Sequence, residues 1–200
     1  MVERSHFFED LAHAEDDPLA FRAEHEPCLA RLRARLGDVR GRRIFEPGCG
    51  AGPLTVRLAE WVGGGGHVLA LDASERMIAR CAAAVAGLPQ VTVRHGDITG
   101  YSAPAGSWDI VLVFRFYPHL PDPAAFLREC WDWLTPGGQL VVANLEGSRE
   151  LNAMHAQLHA VQHDHMPTAV ALQQQLAAAG WRVAEAIDVP DDYFVRAWRD

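Results

Sequence analysis

Glu46-Pro47-Gly48-Cys49-Gly50-Ala51-Gly52 is the stretch on which the fold turns. Arg43-Ile44-Phe45-Glu46 is a short strand leading into it, and a segment from Pro53 to about Val62 that is patterned as a helix follows. Three glycines in five residues remove the side chains that would block a ligand from the backbone, and they permit positive φ. A glycine turn between a strand and a helix is where open α/β sheets bring the backbone close to a ligand. The spacing is not that of a dinucleotide fingerprint, which needs G-x-G-x-x-G. The third glycine comes one residue early, at 52, and Pro53 stands where the fingerprint has glycine. An NAD-dependent oxidoreductase is therefore disfavoured.

Outward from this turn the chain alternates strands and helices. His67–Asp72, Val91–His95, Trp108–Phe114 and Gln139–Asn144 are the next strands, and Trp108–Phe114, apolar but for Asp109, suits a central parallel strand covered on both faces. Ser74 caps a helix to about Ala86. A further helix runs from about Pro123 to Leu134, and Thr135-Pro136-Gly137-Gly138 turns the chain into the fifth strand. A helix from about Thr168 to Ala179 ends at Gly180, and Trp181–Val189 and Tyr193–Trp198 close the sheet. This order predicts an α/β fold: a doubly wound, mainly parallel seven-stranded sheet with helices on both faces and a C-terminal antiparallel strand pair.

Before the first strand, residues 3–36 are expected to form one or two helices. Asp17-Pro18 is a start signal, Leu19, Leu29, Leu32 and Leu36 form a buried stripe, and Gly37 is the stop. His6, Phe7 and Phe8 pack this terminal helix or cover the site. One domain is expected over 1–200, with 1–40 a helical cap and 145–166 a lid insertion.

The bulk properties narrow the functions. The chain has 200 residues, 49% hydrophobic and 22% charged, with a formal net charge of −8. Negative charge disfavours a phosphate-backbone partner, and the arginines at 31, 33, 35, 40, 42 and 43 read as a solvated helix face and strand approach. The apolar runs fall far short of the roughly 20 residues that a membrane helix needs, and the N-terminus has no apolar core like that of a signal peptide. The four cysteines, Cys28, Cys49, Cys81 and Cys130, form no CxxC pair, so neither a disulfide framework nor a zinc knuckle is indicated. The expectation is a cytoplasmic protein, monomer or homodimer, with no nucleic acid or membrane partner.

Glu46-x-Gly48-x-Gly50-x-Gly52 resembles motif I of the class I S-adenosylmethionine (SAM)-dependent methyltransferases. Three more positions agree in order and spacing: Asp72 at the end of the second strand, Gly96-Asp97-Ile98 after the third, and Leu134-Thr135-Pro136-Gly137-Gly138, similar to the family's LxPGG turn. The resemblance covers about residues 40–145. It implies that the glycine loop wraps the amino-acid end of SAM with Glu46 reaching its ammonium group. It also implies that Asp72 accepts from the ribose hydroxyls, and that Asp97 lies near the adenine amino group with Ile98 against the ring. The cofactor set expected on this basis is Glu46, Gly48, Cys49, Gly50 and Gly52 from the loop, Asp72, Ala73 and Met77 from the second strand and the helix after it, and Asp97, Ile98 and Phe114.

Methyl transfer needs alignment of donor and acceptor, and a base only where the acceptor must lose a proton. No Asn-Pro-Pro-Tyr-like motif follows the fourth strand. Its end, Phe114-Arg115-Phe116-Tyr117-Pro118-His119-Leu120, is similar to the small-molecule branch, which often has histidine before a Leu-Pro-Asp-Pro-like stretch. Arg115, Tyr117 and His119 are thus catalytic or acceptor-binding candidates, and Arg115 has the fork that pairs a carboxylate. His119 also fits a turn-supporting role.

On one helix over 151–165, Leu151, Met154, Leu158 and Val161 would form an apolar stripe, with His155, His159 and His163 at i, i+4 and i+8 beside it. Three roles are open for these histidines: a solvated lid face, substrate contact or a general base (His155, His159), or a metal ligand set. No metal is expected, and His155, His159 and His163 are the weak candidates. The sequence thus predicts a SAM-dependent methyltransferase acting on O, N or S of a small molecule. The alternative is a SAM- or metal-binding sensor without methyl transfer.

Overall fold

A computed structural model describes residues 20–200. The expectations on Asp17-Pro18, Leu19, His6, Phe7 and Phe8 lie outside the described residues. Contacts group the chain into two units, divided between Tyr101 and Ser102.

In the first unit a 3-10 turn, Ala23–His25, leads into helix α1 (Glu26–Leu36). Leu29, Leu32 and Leu36 are buried as their spacing predicts, and Gly37 ends the helix at φ 71°. Strand β1 (Arg43–Pro47), helix α2 (Pro53–Val62), strand β2 (His67–Asp72), helix α3 (Glu75–Ala84) and strand β3 (Val91–His95) follow. β2 pairs in parallel with both β1 and β3. Its run Val68–Leu71 is buried, the mark of a parallel strand covered on both sides. Ser74 caps α3 by accepting the Met77 N–H, as its residue type predicts.

In the second unit, strand β4 (Trp108–Phe114), helix α4 (Pro123–Trp133) and strand β5 (Leu134–Asn144) make a parallel unit. Helix α5 (Ser148–His155) and helix α6 (Ala169–Ala178) precede the antiparallel strands β6 (Arg182–Val189) and β7 (Asp192–Trp198). β7 runs antiparallel to β5 as well. The strand order of the seven-stranded sheet is β3-β2-β1-β4-β5-β7-β6. The mainly parallel sheet and its C-terminal antiparallel pair are as the alternating pattern predicts.

Two local differences have physical causes. β5 begins at Leu134, not Gln139, because Leu134 already pairs with Trp108. The Thr135–Gly138 turn is then taken up as an irregularity before Gln139 pairs with Ile110. The segment 145–166 is helical in part, as expected, and the one helix over 151–165 that would align its histidines does not form. α5 stops at His155, and 3-10-type bonds continue the chain: Leu158 N to His155 O, Val161 N to Leu158 O, Asp164 N to Val161 O. Asn152 accounts for the fold-back: its side chain donates to Met166 O and accepts the Met166 N–H. Two tertiary hydrogen bonds thus override a local period. Met154 and Leu158, expected in a buried stripe, are exposed at 41% and 38%, while Leu151 and Val161 are buried. Among the described residues no helix is long and apolar enough to cross a membrane.

Candidate functional site

The first unit gathers the glycine loop and two carboxylates at the carboxyl ends of β1 and β2. Gly48 N and Cys49 N both donate to Leu71 O, at 2.7 and 3.1 Å. Gly50 N donates to Asp72 Oδ2 and Ser74 N to Asp72 Oδ1, each at 2.9 Å. One carboxylate thus ties the loop after β1 to the start of α3. Gly48, Gly50 and Gly52 all have positive φ (71°, 55° and 86°). At Gly52 the choice of residue is forced twice. The backbone is left-handed, and a Cβ there would lie 2.7 Å from Cys81 Sγ.

Glu46 is the buried acid of this cluster, only 3% exposed. Its Oε2 accepts the Thr55 hydroxyl at 2.7 Å. Burial pushes its carboxyl up to about 8, against the pull of that hydrogen bond. A cation delivered to this position would favour the ionised form. Beneath the loop, Cys49 and Cys81 pack with Ala70 in one buried cluster. The thiol of Cys49 is raised by its hydrogen bond to Cys81 and by burial, and the same bond lowers Cys81.

Of the other expected cofactor residues, Met77 and Ile98 are buried. Ala73 is exposed, and its carbonyl accepts from His95 Nε2 at 3.0 Å. Asp97 is exposed and uses Oδ1 to accept from Thr99 N and Oγ1, both at 2.8 Å, capping a short 3-10 turn. The structure therefore brings Glu46, Gly48, Gly50, Gly52 and Asp72 into one constellation, with Thr55, Ser74 and Cys81 as supports. Sequence reasoning missed Thr55 and Cys81. Thr55 lies in the first turn of α2, and nothing in its local pattern marks it as the partner of Glu46.

The second unit holds the other candidates. Phe114 is buried at the end of β4. Arg115 follows at φ 55°, the one non-glycine residue with positive φ among the described residues. Tyr117–His119 is a 3-10 turn. Tyr117 is 3% exposed, its hydroxyl has no hydrogen-bond partner, and desolvation raises it to about 12. At ordinary pH this hydroxyl keeps its proton. His119 Nδ1 lies 2.6 Å from Asp164 Oδ2, and both side chains are largely buried. The His155 ring is 5.3 Å from that of His119, and its Nδ1 bonds Asp164 O at 2.8 Å.

The other histidines of this segment are not brought together. His159 is exposed on a 3-10 turn with Gln162 at 2.9 Å, and His163 is exposed. Among the described residues no group of three or more His, Cys, Asp or Glu side chains is placed to hold a metal ion. The i, i+4, i+8 spacing of His155, His159 and His163 required one helix, and the helix ends at His155, so the three are not brought together. Asp164 was the missed partner. The sequence shows it between two histidines, but only the fold-back at Asn152 turns it toward His119.

The glycine turn, its carboxylates and the sheet define a Rossmann-like ligand-binding class. Residues 44–138 match the family model described as a methyltransferase domain. A probable SAM-dependent methyltransferase of Mycolicibacterium smegmatis is 30% identical over 165 residues, which is 82% of this chain and 60% of the relative. A ubiquinone biosynthesis O-methyltransferase of a Caulobacter species is 38% identical over 136 residues, 64% of this chain and 51% of the relative. The solved structure of a SAM-dependent methyltransferase from Aquifex aeolicus superposes with a TM-score of 0.73 over 98% of both chains at 19% identity, a likeness of fold. Over these residues the chain is similar to SAM-dependent methyltransferases, and its fold is like theirs. It spans about half to three-fifths of the length of these curated relatives.

Proposed function

We propose that the protein binds SAM in the first unit and transfers its methyl group to a small molecule. The observation that carries this is the pair of carboxylates bracketing the glycine loop: buried Glu46, and Asp72 fixed by Gly50 N and Ser74 N. The residues fit the group. SAM carries an ammonium and a sulfonium, and a carboxyl raised to about 8 by burial is one that a cation restores to its charged form. The left-handed Gly52, with no room for a Cβ, keeps the loop close to the strand end.

In this reading Glu46 receives the ammonium group, and Asp72 accepts from the ribose hydroxyls. Asp97 and Ile98 serve the adenine. Bound SAM supplies a methyl carbon activated by its sulfonium. The protein's task is to orient the acceptor and exclude water. Arg115, Tyr117 and His119, with the 145–166 segment as a lid, serve the acceptor. Its class is a small molecule, in line with relatives that are named for quinone biosynthesis and with a net charge of −8, which opposes a nucleic-acid backbone. Four buried free cysteines accord with work in the reducing cytoplasm.

Calorimetry with SAM and with S-adenosylhomocysteine tests the cofactor assignment. Both are expected to bind the wild type. Asp72→Ala is expected to weaken both by roughly 10- to 100-fold, the size of losing hydrogen bonds to a charged group. No binding by the wild type, or unchanged binding by Asp72→Ala, would overturn it.

A further inference from the structure

Two buried thiols lie against the turn assigned above to SAM, and methyl transfer has no use for them. We propose that Cys49 and Cys81 are a peroxide-sensitive pair: hydrogen peroxide joins them in a disulfide that deforms the glycine loop and shuts off cofactor binding until the bond is reduced. The effect on binding rests on the SAM reading above; the bond between the two sulfurs does not.

The placement comes from the turn itself. Gly52 N donates to Cys49 O at 3.0 Å, which closes the loop tightly. Cys81, on α3, is pressed into that turn. Its Sγ lies 2.7 Å from where a Gly52 Cβ would stand, with its Cα at 3.2 Å and its Cβ at 3.3 Å. The glycine is what admits the sulfur. Cys49, Cys81 and Ala70 of β2 form one buried cluster, and the two thiols share a hydrogen bond.

That bond sets the roles. It holds the proton on Cys49 and favours the thiolate at Cys81, against the opposing pull of burial and of the Asp72 charge. Cys130 is the contrast: burial, with Glu129 nearby, pushes its thiol well up, the setting of an inert cysteine. In the first step the Cys81 thiolate attacks one peroxide oxygen. The O–O bond breaks, an S–O bond forms, and the departing oxygen takes up the proton that Cys81 released and leaves as water. In the second, the Cys49 sulfur attacks the Cys81 sulfur, the S–O bond breaks, and a second water leaves with the Cys49 proton. The thiols lose two electrons and the peroxide becomes two waters.

A covalent S–S contact is much shorter than a thiol hydrogen bond, so closing it draws Cys49 toward α3. The backbone that moves is the one that anchors the loop: Gly48 N and Cys49 N to Leu71 O, and Gly50 N to Asp72 Oδ2. Cys81 also gives up its bond to Thr55 Oγ1 at 3.9 Å, and Thr55 is the partner of Glu46. One new bond thus disturbs the surroundings of both carboxylates. A disulfide closed against such anchors is strained, and strained disulfides are the readily reduced, regulatory ones. Cys49 is 5% exposed and Cys81 0%. Peroxide therefore reaches the pair when the loop opens, and a cofactor bound over the loop holds it shut.

Peptide mapping of the full chain, reduced and then treated with hydrogen peroxide, reads the bond directly. Non-reduced maps are expected to link the Cys49 and Cys81 peptides while Cys28 and Cys130 stay thiols, and dithiothreitol should reverse the link. Links through Cys28 or Cys130, or sulfinic and sulfonic acids with no link between Cys49 and Cys81, overturn the proposal. Saturating S-adenosylhomocysteine should slow linking by about 10-fold or more. An unchanged rate overturns the coupling to the cofactor site.

Calorimetry gives the second readout. Oxidation is expected to weaken S-adenosylhomocysteine binding by about 10-fold or more, and dithiothreitol to restore it. A linked protein that binds as tightly as the reduced one overturns the switch. Peroxide should leave the affinity of Cys81→Ala where it started, and a fall equal to that of the wild type overturns the role of Cys81. If this variant does not fold, the wild-type map and its reversal decide without it. Failure of the reduced wild type to bind S-adenosylhomocysteine removes the SAM reading, and the peptide map still decides the pair.

Discussion

Glu46 Oε2 accepts the Thr55 hydroxyl at 2.7 Å in a position that is 3% exposed. That bond favours the ionised carboxyl, but burial outweighs it and raises the group from 4.5 to about 8. A carboxyl raised on folding binds more protons folded than unfolded, so its share of stability is complete below about pH 4.5 and is lost as pH climbs through about 8. Glu46→Gln keeps an oxygen for Thr55 and removes the charge. The cofactor-free variant is expected to melt above the wild type near pH 9 and level with it near pH 4, while SAM affinity falls at neutral pH. Melting curves across this range check it. A difference between the two proteins that does not vary with pH would remove Glu46 as the titrating group.

Gly52 and Cys81 make a pair that tests the packing beneath the loop. A Cβ at Gly52 would meet Cys81 Sγ at 2.7 Å and the Cys81 backbone at 3.2 Å, on a residue with φ 86°. Gly52→Ala therefore carries a conformational cost of about 1–2 kcal/mol and an overpacking cost of about 1–3 kcal/mol. Adding Cys81→Ala removes the sulfur clash but leaves the φ penalty. The double variant should recover about half of the loss attributed to Gly52→Ala, and denaturant titrations of the four-member cycle measure that coupling. Strict additivity would show that the loop moves away from Cys81.

How much of this was legible in the sequence divides along the range of the forces involved. His67–Asp72, Val91–His95 and Trp108–Phe114 were bounded to the residue because β-branched or apolar residues are closed there by turn or cap residues, and those are short-range signals. The glycine loop and Asp72 were legible as a pair through the class resemblance. Thr55, Cys81 and Asp164 were not, because each acts on a residue far along the chain. The histidine segment misled for the same reason. Its helical spacing is real as far as His155, after which Asn152 and its two bonds to Met166 decide the path.

Arg115 provides a test in which the sign of the effect carries the information. At ordinary positions alanine is preferred to glycine, by up to about 1 kcal/mol in a regular element. Arg115 sits at φ 55°, where a Cβ costs about 1–2 kcal/mol. Arg115→Gly is therefore expected to be more stable than Arg115→Ala by about 1 kcal/mol in thermal or denaturant unfolding. Both variants should lose acceptor turnover, because such strain persists where it positions a functional side chain. An alanine variant more stable than the glycine one would mean that the left-handed backbone relaxes once the guanidinium is gone.

Asp188 links the edge strand β6 to the N-termini of α5 and α6. From β6 its carboxylate accepts from Ser148 N at 2.8 Å, Ser148 Oγ at 2.6 Å and Ala169 N at 3.1 Å, so one side chain caps the first residues of both α5 and α6. Negative charge at two helix N-termini is favourable on dipole grounds as well. Asp188→Ala leaves these donors without their partner and should cost about 3 kcal/mol, with Asp188→Asn intermediate because its amide keeps one acceptor. The functional effect follows from what α5 carries. Asn152 and His155 lie on it, and they hold the backbone that presents Asp164 to His119. Hydrogen exchange in Asp188→Ala should therefore quicken across residues 148–172. Acceptor turnover should fall while S-adenosylhomocysteine affinity, which depends on the first unit, stays within about twofold, under roughly 0.5 kcal/mol. A matching loss of cofactor affinity would mean that the variant had unfolded beyond residues 148–172.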